Sequence, residues 1–534
     1  MTAIHTASAT TATATIEPHD AGSPTPHIRI AIVGSGFAGM GLAIKLRQEG
    51  RDDFLVFERG EDVGGTWRDN TYPGCQCDVP SNLYSFSFAP NPDWTHTYAT
   101  QPEIRTYLQE CADRFGIRPH IRFGHRVIDA RWNDTDTRWH IDTSEGSFTA
   151  DLVVVGAGPL SDPSIPEIPG AASFTGTSFH TARWDHDHEL TGERIAVIGT
   201  GASAIQAVPA IQPIVEHLTL FQRTPPWVLP HPGRDVPESK RRRYRRFPIT
   251  QKIDRAFTYV VRELSVIAFT KRPEFMEAPE REGIKHMERA VADPELRAKL
   301  RPTFSLGCKR VLLSDKWYPA IAQPNVDVVT ESIREITPEG VVTADGVEYP
   351  VDTIIWATGF HVTDIPAAQH VWNAKGENLL HEITDGDGMY LGTTAPGFPN
   401  LFVMVGPNTG LGHSSIVYMI ESQLNYILDA IHQIDDRGLA TVTVRGGPAR
   451  DYNAEMQRGL EGTIWNSGCA SWYLDANGRN QTLWPTFTWK FRARTRRFDI
   501  ANYDFVTQRE RQLIASQRSS GTSTTRDTAA VIGG

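Results

Sequence analysis

The sequence has few cysteines, no long apolar run and no excess of positive charge. Its 534 residues contain five cysteines, too few and too scattered for a disulfide framework or a set of zinc ligands. This usage favours a reducing, cytoplasmic location and predicts no metal. No apolar run reaches the roughly 18 residues that a membrane-spanning helix needs, so no membrane partner is expected.

The charge balance is acidic, with 53 Lys and Arg against 63 Asp and Glu and a net charge of −10. Such a balance argues against a nucleic-acid partner. The exception is a basic run at residues 240–243, 245 and 246. We interpret it as the solvated start of a helix; the alternative is a patch for polyanions.

The length predicts several domains, because a chain of this size is too long for one hydrophobic core. Residues 1–27 are rich in Thr, Ala and Pro and lack the basic start and apolar stretch of a signal peptide. They therefore predict a disordered tail. The Ser- and Thr-rich residues 516–534 predict a second disordered tail.

A glycine-rich turn follows the first apolar stretch. Gly34-Ser-Gly36-Phe37-Ala38-Gly39 lies between a predicted strand at residues 28–33 and an apolar helical pattern. In such a unit the glycines permit a tight turn, close approach of a diphosphate and packing of the helix on the strand, while the helix dipole favours the anion. A second strand ends at Glu58, whose carboxylate is placed to accept a ribose hydroxyl. This predicts a Rossmann-like dinucleotide-binding domain.

The same arrangement recurs farther along the chain, at Gly199-Thr200-Gly201-Ala202-Ser203-Ala204. Glu58 lies 24 residues after Gly34, and Arg223 lies 24 residues after Gly199, so an arginine takes the place of the acid. An acid suits a bare ribose, whereas an arginine suits the extra phosphate of NADPH. The first unit is therefore predicted to bind FAD and the second NADPH. The alternative for Arg223 is an ordinary surface arginine at a strand end.

Two further apolar strands, at residues 151–158 and 352–359, each close on a small-residue turn. We interpret each as the last strand of its unit, after which the chain crosses to the other domain. The predicted fold is α/β, with two Rossmann-like domains and a helical insertion. The FAD domain is expected at residues 28–160 and 386–515. The linker and NADPH domain are expected at 161–235 and 325–385, with the insertion at 236–324.

Two longer patterns connect these units to a known family. Phe174, Gly176, His180, Trp184 and Asp185 match the FxGxxxHxxxW(P/D) fingerprint of type I Baeyer–Villiger monooxygenases at every specified position. A second family pattern is matched at residues 64–67, 72–74 and 78. The chain resembles this family over nearly all of residues 28–515. The Trp184-Asp185 pair distinguishes it from related flavin-containing and N-hydroxylating monooxygenases, whose fingerprint ends in a different aromatic residue.

The resemblance implies a reaction. In that family FAD, reduced by NADPH, reacts with O2 to give a C4a-peroxide whose anion attacks a ketone and yields an ester or lactone. Arg310 takes the place of the catalytic arginine, which would stabilise the negative charge, and Asp78 that of the acid paired with it. The alternative is that Lys309 and Arg310 are solvated charges at a helix end.

The resemblance also implies residues around the two nucleotides. Thr66, Trp67 and Tyr84 would lie near FAD together with Asp78. Lys309 would share the 2′-phosphate of NADPH with Arg223 and Thr224, and Trp472 would close over the same nucleotide unless it is ordinary core packing.

The fingerprint histidine, His180, is expected to couple the two domains rather than to move protons. His186 and His188, with Asp185 and Asp187 beside them, do not complete a recognisable metal site.

Two other functions stay open on the sequence alone. The same flavin chemistry can oxygenate sulfur or nitrogen. A protein that binds both nucleotides can also respond to redox state without turnover, although Asp78 and Arg310 argue against that. The ketone and the oligomeric state do not follow from the sequence.

Overall fold

The structure is a computed structural model that describes residues 25–363, 366–475 and 477–521. Its strands are, in chain order, β1 His27–Val33, β2 Phe54–Phe57, β3 Ile121–Arg122, β4 Val127–Asn133, β5 Arg138–Thr143, β6 Gly146–Val155, β7 Thr177–His180, β8 Arg194–Ile198, β9 His217–Phe221, β10 Val228–Leu229, β11 Leu312–Leu313, β12 Val326–Val329, β13 Ile333–Ile336, β14 Gly340–Thr343, β15 Glu348–Pro350, β16 Thr353–Trp356, β17 Val371–Trp372, β18 Leu401–Val403, β19 Leu439–Val444 and β20 Tyr503–Thr507.

The helices are α1 Phe37–Gln48, α2 Thr66–Asp69, α3 Gln101–Arg114, α4 Ala202–Ile211, α5 Glu238–Arg246, α6 Pro248–Thr270, α7 Glu277–Ala290, α8 Pro294–Leu300, α9 Trp317–Ile321, α10 Pro366–Gln369, α11 Leu379–Thr384, α12 Ile416–Asp436, α13 Gly446–Leu460, α14 Thr488–Arg494 and α15 Gln508–Gly521. None of these described helices combines the length and the apolarity that crossing a bilayer requires.

The first sheet has the order β17-β4-β5-β6-β1-β2-β3, and β18 also pairs with β6. Strands β3, β2, β1, β6 and β18 run parallel. Because both faces of such a sheet are covered, its central strands are nearly continuous apolar runs, as in β1. After completing the second sheet the chain returns to the first one at β17, where Val371 lies opposite Ala130 of β4, and again at β18, where Leu401 lies opposite Val153 of β6. The predicted start of this returning segment at residue 386 was therefore too late, because a strand of two residues is too short to show a pattern in the sequence.

The second sheet is entirely parallel, in the order β12-β9-β8-β16-β7. Helix α4 follows β8 directly and packs on α9. Between the short strands β10 and β11, which pair in parallel, the chain forms helices α5 to α8. Each sheet carries one glycine-rich turn, so the molecule contains two Rossmann-like domains.

Two predicted tail boundaries were wrong. Strand β1 begins at His27, which pairs with Thr149 of β6 and is therefore not part of a tail. At the other end α15 continues to Gly521, because the helix-favouring residues 508–516 extend the helix into the Ser-rich stretch. The remaining tail residues, 1–24 and 522–534, lie outside the described residues.

Candidate active site

The first glycine-rich turn forms a cradle for a diphosphate. A Cβ on Gly39 would lie 1.9 Å from the oxygen of Gly34, whereas one on Gly36 would meet nothing closer than 3.7 Å. Gly34 has φ +92°, which side chains rarely adopt. Helix α1 begins at Phe37 without a side-chain cap, so its first N–H groups can bind an anion. The turn is closed where helix meets strand and open where the diphosphate would lie.

The second turn has the same geometry. A Cβ on Gly199 would lie 2.5 Å from Ala357 O, while one on Gly201 would meet nothing within 4 Å. Helix α4 begins at Ala202, again without a side-chain cap. Thr200 Oγ1 donates to Thr224 O at 3.2 Å, which ties this turn to the loop after β9. Both cradles therefore fit a dinucleotide.

Glu58 is almost fully buried and already has several protein donors. Its Oε2 accepts from Ser35 N at 2.9 Å and Ser35 Oγ at 2.7 Å, and its Oε1 accepts from Gly60 N at 2.8 Å and Arg68 Nη1 at 2.6 Å. A carboxylate offers about four lone-pair sites. A ribose hydroxyl would therefore have to share or replace one of these donors.

Aromatic side chains gather beside the first turn. Trp67 Nε1 donates to Tyr84 Oη at 3.1 Å, and the Phe37 and Tyr84 rings lie 5.1 Å apart, edge to face. Thr66 begins α2, and a Cβ on the preceding Gly65 would lie 3.0 Å from Gly36 Cα. The first glycine-rich turn and the family pattern that begins at Gly64, about 30 residues later, thus pack directly on each other.

The second unit brings two cations together. Arg223 is exposed at the end of β9 and Lys309 is half-buried. Burial and then the charge of Arg223 hold the pKa of the Lys309 amine below its ordinary value. No carboxylate among the described residues pairs with either side chain. Two neighbouring cations without a protein carboxylate make a site for an anion.

Asp78 and Arg310 form a two-point ion pair across the chain. Arg310 Nε donates to Asp78 Oδ2 at 2.6 Å, and Arg310 Nη2 donates to Asp78 Oδ1 at 2.7 Å. Arg310 Nη1 reaches Leu411 O at 3.3 Å. The Asp78 charge raises the pKa of Arg310. Burial opposes ionisation of Asp78, but the charge and hydrogen bonds of Arg310 outweigh it and lower its pKa.

Between a quarter and a third of each of these side chains, 29% for Arg310 and 28% for Asp78, is accessible. A guanidinium has five N–H groups, of which these contacts use three. Arg310 therefore keeps its charge and can donate two more hydrogen bonds.

The sequence reasoning missed a second cation near this pair, Arg262 of α6. Its Nη2 donates to Tyr98 Oη at 2.7 Å, and its charge helps to lower the pKa of Asp78. Tyr473 is buried beside Arg310. Its neighbour Trp472 remains 43% exposed, with its ring 4.5 Å from that of Tyr473. No local motif marks Arg262, because only the packing of α6 brings it here.

The fingerprint lies where the two domains meet. Trp184 packs against the hydrophobic cores of both domains, and its ring lies 5.1 Å from Phe179 of β7. A Cβ on Gly176 would lie 2.2 Å from Asp352 O, next to β16. Phe174 packs on the far side of the second sheet. Asp185 Oδ1 accepts from Asp187 N at 3.0 Å, which closes the turn after Trp184.

Comparison with known proteins identifies the family. The family model described as pyridine nucleotide-disulphide oxidoreductase matches residues 31–267. A Baeyer–Villiger monooxygenase of Streptomyces coelicolor is 52% identical over 90% of this chain and 93% of that protein. A Baeyer–Villiger monooxygenase of Pseudomonas aeruginosa is 48% identical over 91% of this chain and 93% of that protein. The chain belongs to the Baeyer–Villiger monooxygenase family.

Solved structures agree with this assignment. A closed crystal structure of cyclohexanone monooxygenase matches with a TM-score of 0.81 and 28% identity, over 91% of this chain and all of that chain. The structure of OTEMO in complex with FAD and NADP matches with a TM-score of 0.80 and 28% identity, over 90% of this chain and all of that chain. The predicted fold and family are confirmed. As a Baeyer–Villiger monooxygenase, the protein is an enzyme that inserts oxygen beside a ketone carbonyl.

A disulfide joins two segments of this monooxygenase that meet at Arg310. Cys308 pairs with Cys469, 161 residues later, while Cys75, Cys77 and Cys111 are free and buried. The prediction of reduced cysteines was wrong for this pair, because nothing in the spacing of Cys308 and Cys469 indicates that they meet. The bond ties the Lys309-Arg310 segment to the loop that carries Trp472.

A buried polar cluster lies close to the ion pair of the monooxygenase. Both ring nitrogens of His413, Ser414 Oγ and Trp465 Nε1 are buried without a hydrogen-bond partner among the described residues. The His413 and Trp465 rings lie 6.5 Å apart, and Leu411, two residues before His413, accepts from Arg310. Burial and the charge of Arg262 lower the pKa of His413 to about 3, so its imidazole is neutral. These groups are available to a ligand beside Arg310.

Protonation of His180 is expected to destabilise the monooxygenase at acid pH. The side chain is 3% exposed and accepts from Ala182 N at 3.0 Å, and burial lowers its pKa to about 4. Below the ordinary value of 6.5 the unfolded chain binds a proton that the folded protein does not, down to about pH 4. As the pH is lowered through this window, the free energy of unfolding should therefore decrease, by about 1.4 kcal/mol per pH unit for this group.

The measurement is urea unfolding of the FAD-loaded enzyme between pH 7 and 4.5, compared with His180→Gln. Gln can still accept from Ala182 N but does not titrate, so its stability should depend less steeply on pH. Equal slopes for the two proteins would show that His180 does not titrate as its burial indicates.

Proposed function

We propose that this enzyme converts ketones to esters or lactones with FAD on the first glycine-rich turn, NADPH on the second, and Arg310 as its catalytic cation. The observation that carries the proposal is the two-point pair of Arg310 with Asp78. FAD bound at the first turn and reduced by NADPH would activate O2, of which one oxygen atom enters the ketone and the other leaves as water.

Arg310 would stabilise the charge that develops during the reaction. Attack on a ketone carbonyl places negative charge on the carbonyl oxygen, and a fixed cation nearby lowers the barrier. The two N–H groups that Arg310 keeps free can donate to that oxygen, whereas Asp78 holds the guanidinium plane in one orientation. An arginine suits this position because it stays charged when partly desolvated.

The other residues would bind and orient the nucleotides. Arg223, Lys309 and Thr224 would hold the 2′-phosphate of NADPH, supported by the absence of a carboxylate partner for either cation among the described residues. The first N–H groups of α1 and α4 would bind the two diphosphates. Trp67, Tyr84 and Glu58 would line the FAD side, and Trp472 would close over NADPH from its exposed position.

The cluster around His413 would face the reacting groups. Its imidazole is neutral and, among the described residues, lacks a partner, so one ring nitrogen can donate and the other accept. We assign His413 a role in positioning the flavin or the ketone, not in proton transfer, because an imidazole with a pKa of about 3 is too weak a base to accept a proton at neutral pH.

The reaction is tested with the purified, FAD-loaded enzyme, NADPH and O2 against a panel of cyclic and linear ketones and thioethers. We expect ketone products heavier by one oxygen atom that hydrolyse as esters or lactones do, and none when NADPH is omitted. Sulfoxides formed from thioethers without any ester from the ketones would overturn the proposed reaction.

A further inference from the structure

Helix α6 of the insertion presents an apolar face to solvent. Six large apolar side chains of the helix are each more than half exposed: Ile249, Ile253, Phe257, Val260, Val261 and Leu264. They recur at intervals of three or four residues and so share one side of the helix, which we call the α6 outer face. Every exposed position of α6 is apolar except Lys252. Contiguous apolar surface of this kind is uncommon on monomeric proteins and marks an interaction site.

The opposite face of α6 is held by polar contacts. Arg255 Nη1 donates to Ser85 O at 3.0 Å, and Arg262 donates to Tyr98. Glu263 Oε2 accepts from Thr488 Oγ1 at 2.6 Å. An ordinary surface helix buries its apolar stripe and exposes its polar one. Over residues 249–264 of α6 the arrangement is reversed, whereas Val266 and Phe269 near its end are buried in the ordinary way. The outer face is therefore separate from the part of α6 that packs into the core.

Unpaired basic side chains flank the α6 outer face. Arg242, Arg246 and Lys252 lie at its start and Lys271 at its end, all exposed. None of these four has a carboxylate within ion-pair distance among the described residues. Trp489, which follows the Thr488 that is bonded to Glu263 of α6, is also exposed, with 52% of its surface accessible.

We propose that the α6 outer face binds the surface of an anionic phospholipid membrane, with the helix lying in the plane of the interface. A helix of this kind needs apolar side chains along one face and Lys and Arg around them, and the α6 outer face has both. The sequence predicted no membrane partner because none of its apolar runs is long enough to span a bilayer. A helix that lies on the surface requires no such run.

Charge argues for a lipid surface over a second copy of the chain. Pairing two α6 helices about a two-fold axis sets the start of each helix beside either the end or the start of the other, depending on the direction of the axis. Both ends carry unpaired basic residues, Arg246 and Lys252 at one and Lys271 at the other. Such a dimer would therefore place like charges together, whereas anionic headgroups neutralise both ends.

The test is sedimentation of the full-length, FAD-loaded enzyme with vesicles of phosphatidylcholine alone or mixed with phosphatidylglycerol. We expect binding to the mixed vesicles that weakens with salt, and little to the neutral ones. Ile253→Ser with Phe257→Ser should weaken it at least about tenfold through lost apolar burial. Arg242→Glu with Arg246→Glu should weaken it about as much.

Matched controls place the same changes elsewhere. Ile165→Ser with Phe505→Ser alters two exposed apolar residues, and Arg437→Glu alters an exposed arginine; both variants should bind like the unchanged enzyme. NADPH oxidation and FAD content report folding of every variant. The proposal would be overturned if the enzyme bound both kinds of vesicle equally, or if the control variants lost as much binding as the α6 variants. It would also be overturned if the enzyme bound no vesicles and instead formed a dimer in solution that Phe257→Ser dissociates.

Discussion

Replacing Arg310 with alanine should strongly slow ester formation while NADPH still reduces the flavin. Arg310 is the cation proposed to stabilise the charge that develops, and Asp78 holds its guanidinium in place. Loss of one such stabilising donor lowers kcat by roughly a hundred- to a thousandfold. Because Arg310 is proposed to act on the ketone and not in binding either nucleotide, anaerobic flavin reduction should change much less.

The measurement separates the two half-reactions. Flavin bleaching under anaerobic conditions reports reduction, and product mass after aerobic turnover reports oxygen insertion. Arg310→Lys keeps the charge but not the two-point contact with Asp78, so it should recover only part of the lost rate. Undiminished ester formation by Arg310→Ala would show that another cation, with Arg262 the nearest candidate, performs this role.

Replacing Arg223 and Lys309 with alanine should convert the enzyme from one that prefers NADPH to one that does not distinguish it from NADH. Each cation is proposed to contact the 2′-phosphate, and a hydrogen bond to a charged group contributes about 1.5–3 kcal/mol. Removing one contact should therefore raise KM for NADPH roughly ten- to a hundredfold. KM for NADH, which lacks that phosphate, serves as the internal control.

The comparison also tests whether these residues merely support the fold. A structural defect would raise KM for both nucleotides together. If Arg223→Ala weakened NADPH and NADH equally, the cation pair would not be the phosphate site. Lys309 lies between Cys308, which is bonded to Cys469, and Arg310. Its variant therefore also reports whether a change at the phosphate site affects the segment that carries Arg310.

The two nucleotide-binding turns could be predicted because each is a local motif. Each glycine-rich turn, its flanking strand and helix and the residue 24 positions on lie within one short segment. Backbone sterics and the helix dipole therefore reveal the cradle and the nucleotide before any long-range contact forms. The pairing of Arg310 with Asp78 was available only through resemblance, since 232 residues separate the two.

Contacts between distant segments account for what could not be predicted. The four donors on Glu58, the position of Arg262 beside Asp78 and the unpaired His413 each depend on which segments pack together. The outward direction of the apolar stripe on α6 is of the same kind, because periodicity reveals a stripe but not the side on which the protein lies.

By itself, then, the sequence determined the fold class, the two nucleotide-binding turns and, through its fingerprint, the family. The tertiary structure alone decided that Cys308 meets Cys469 and that Trp184 packs against both cores. It also decided that α6 turns its apolar face to solvent. The physical reason is range: steric limits, helix dipoles and turn chemistry act over a few residues, whereas ion pairs, disulfides and burial depend on which remote segments the fold brings together.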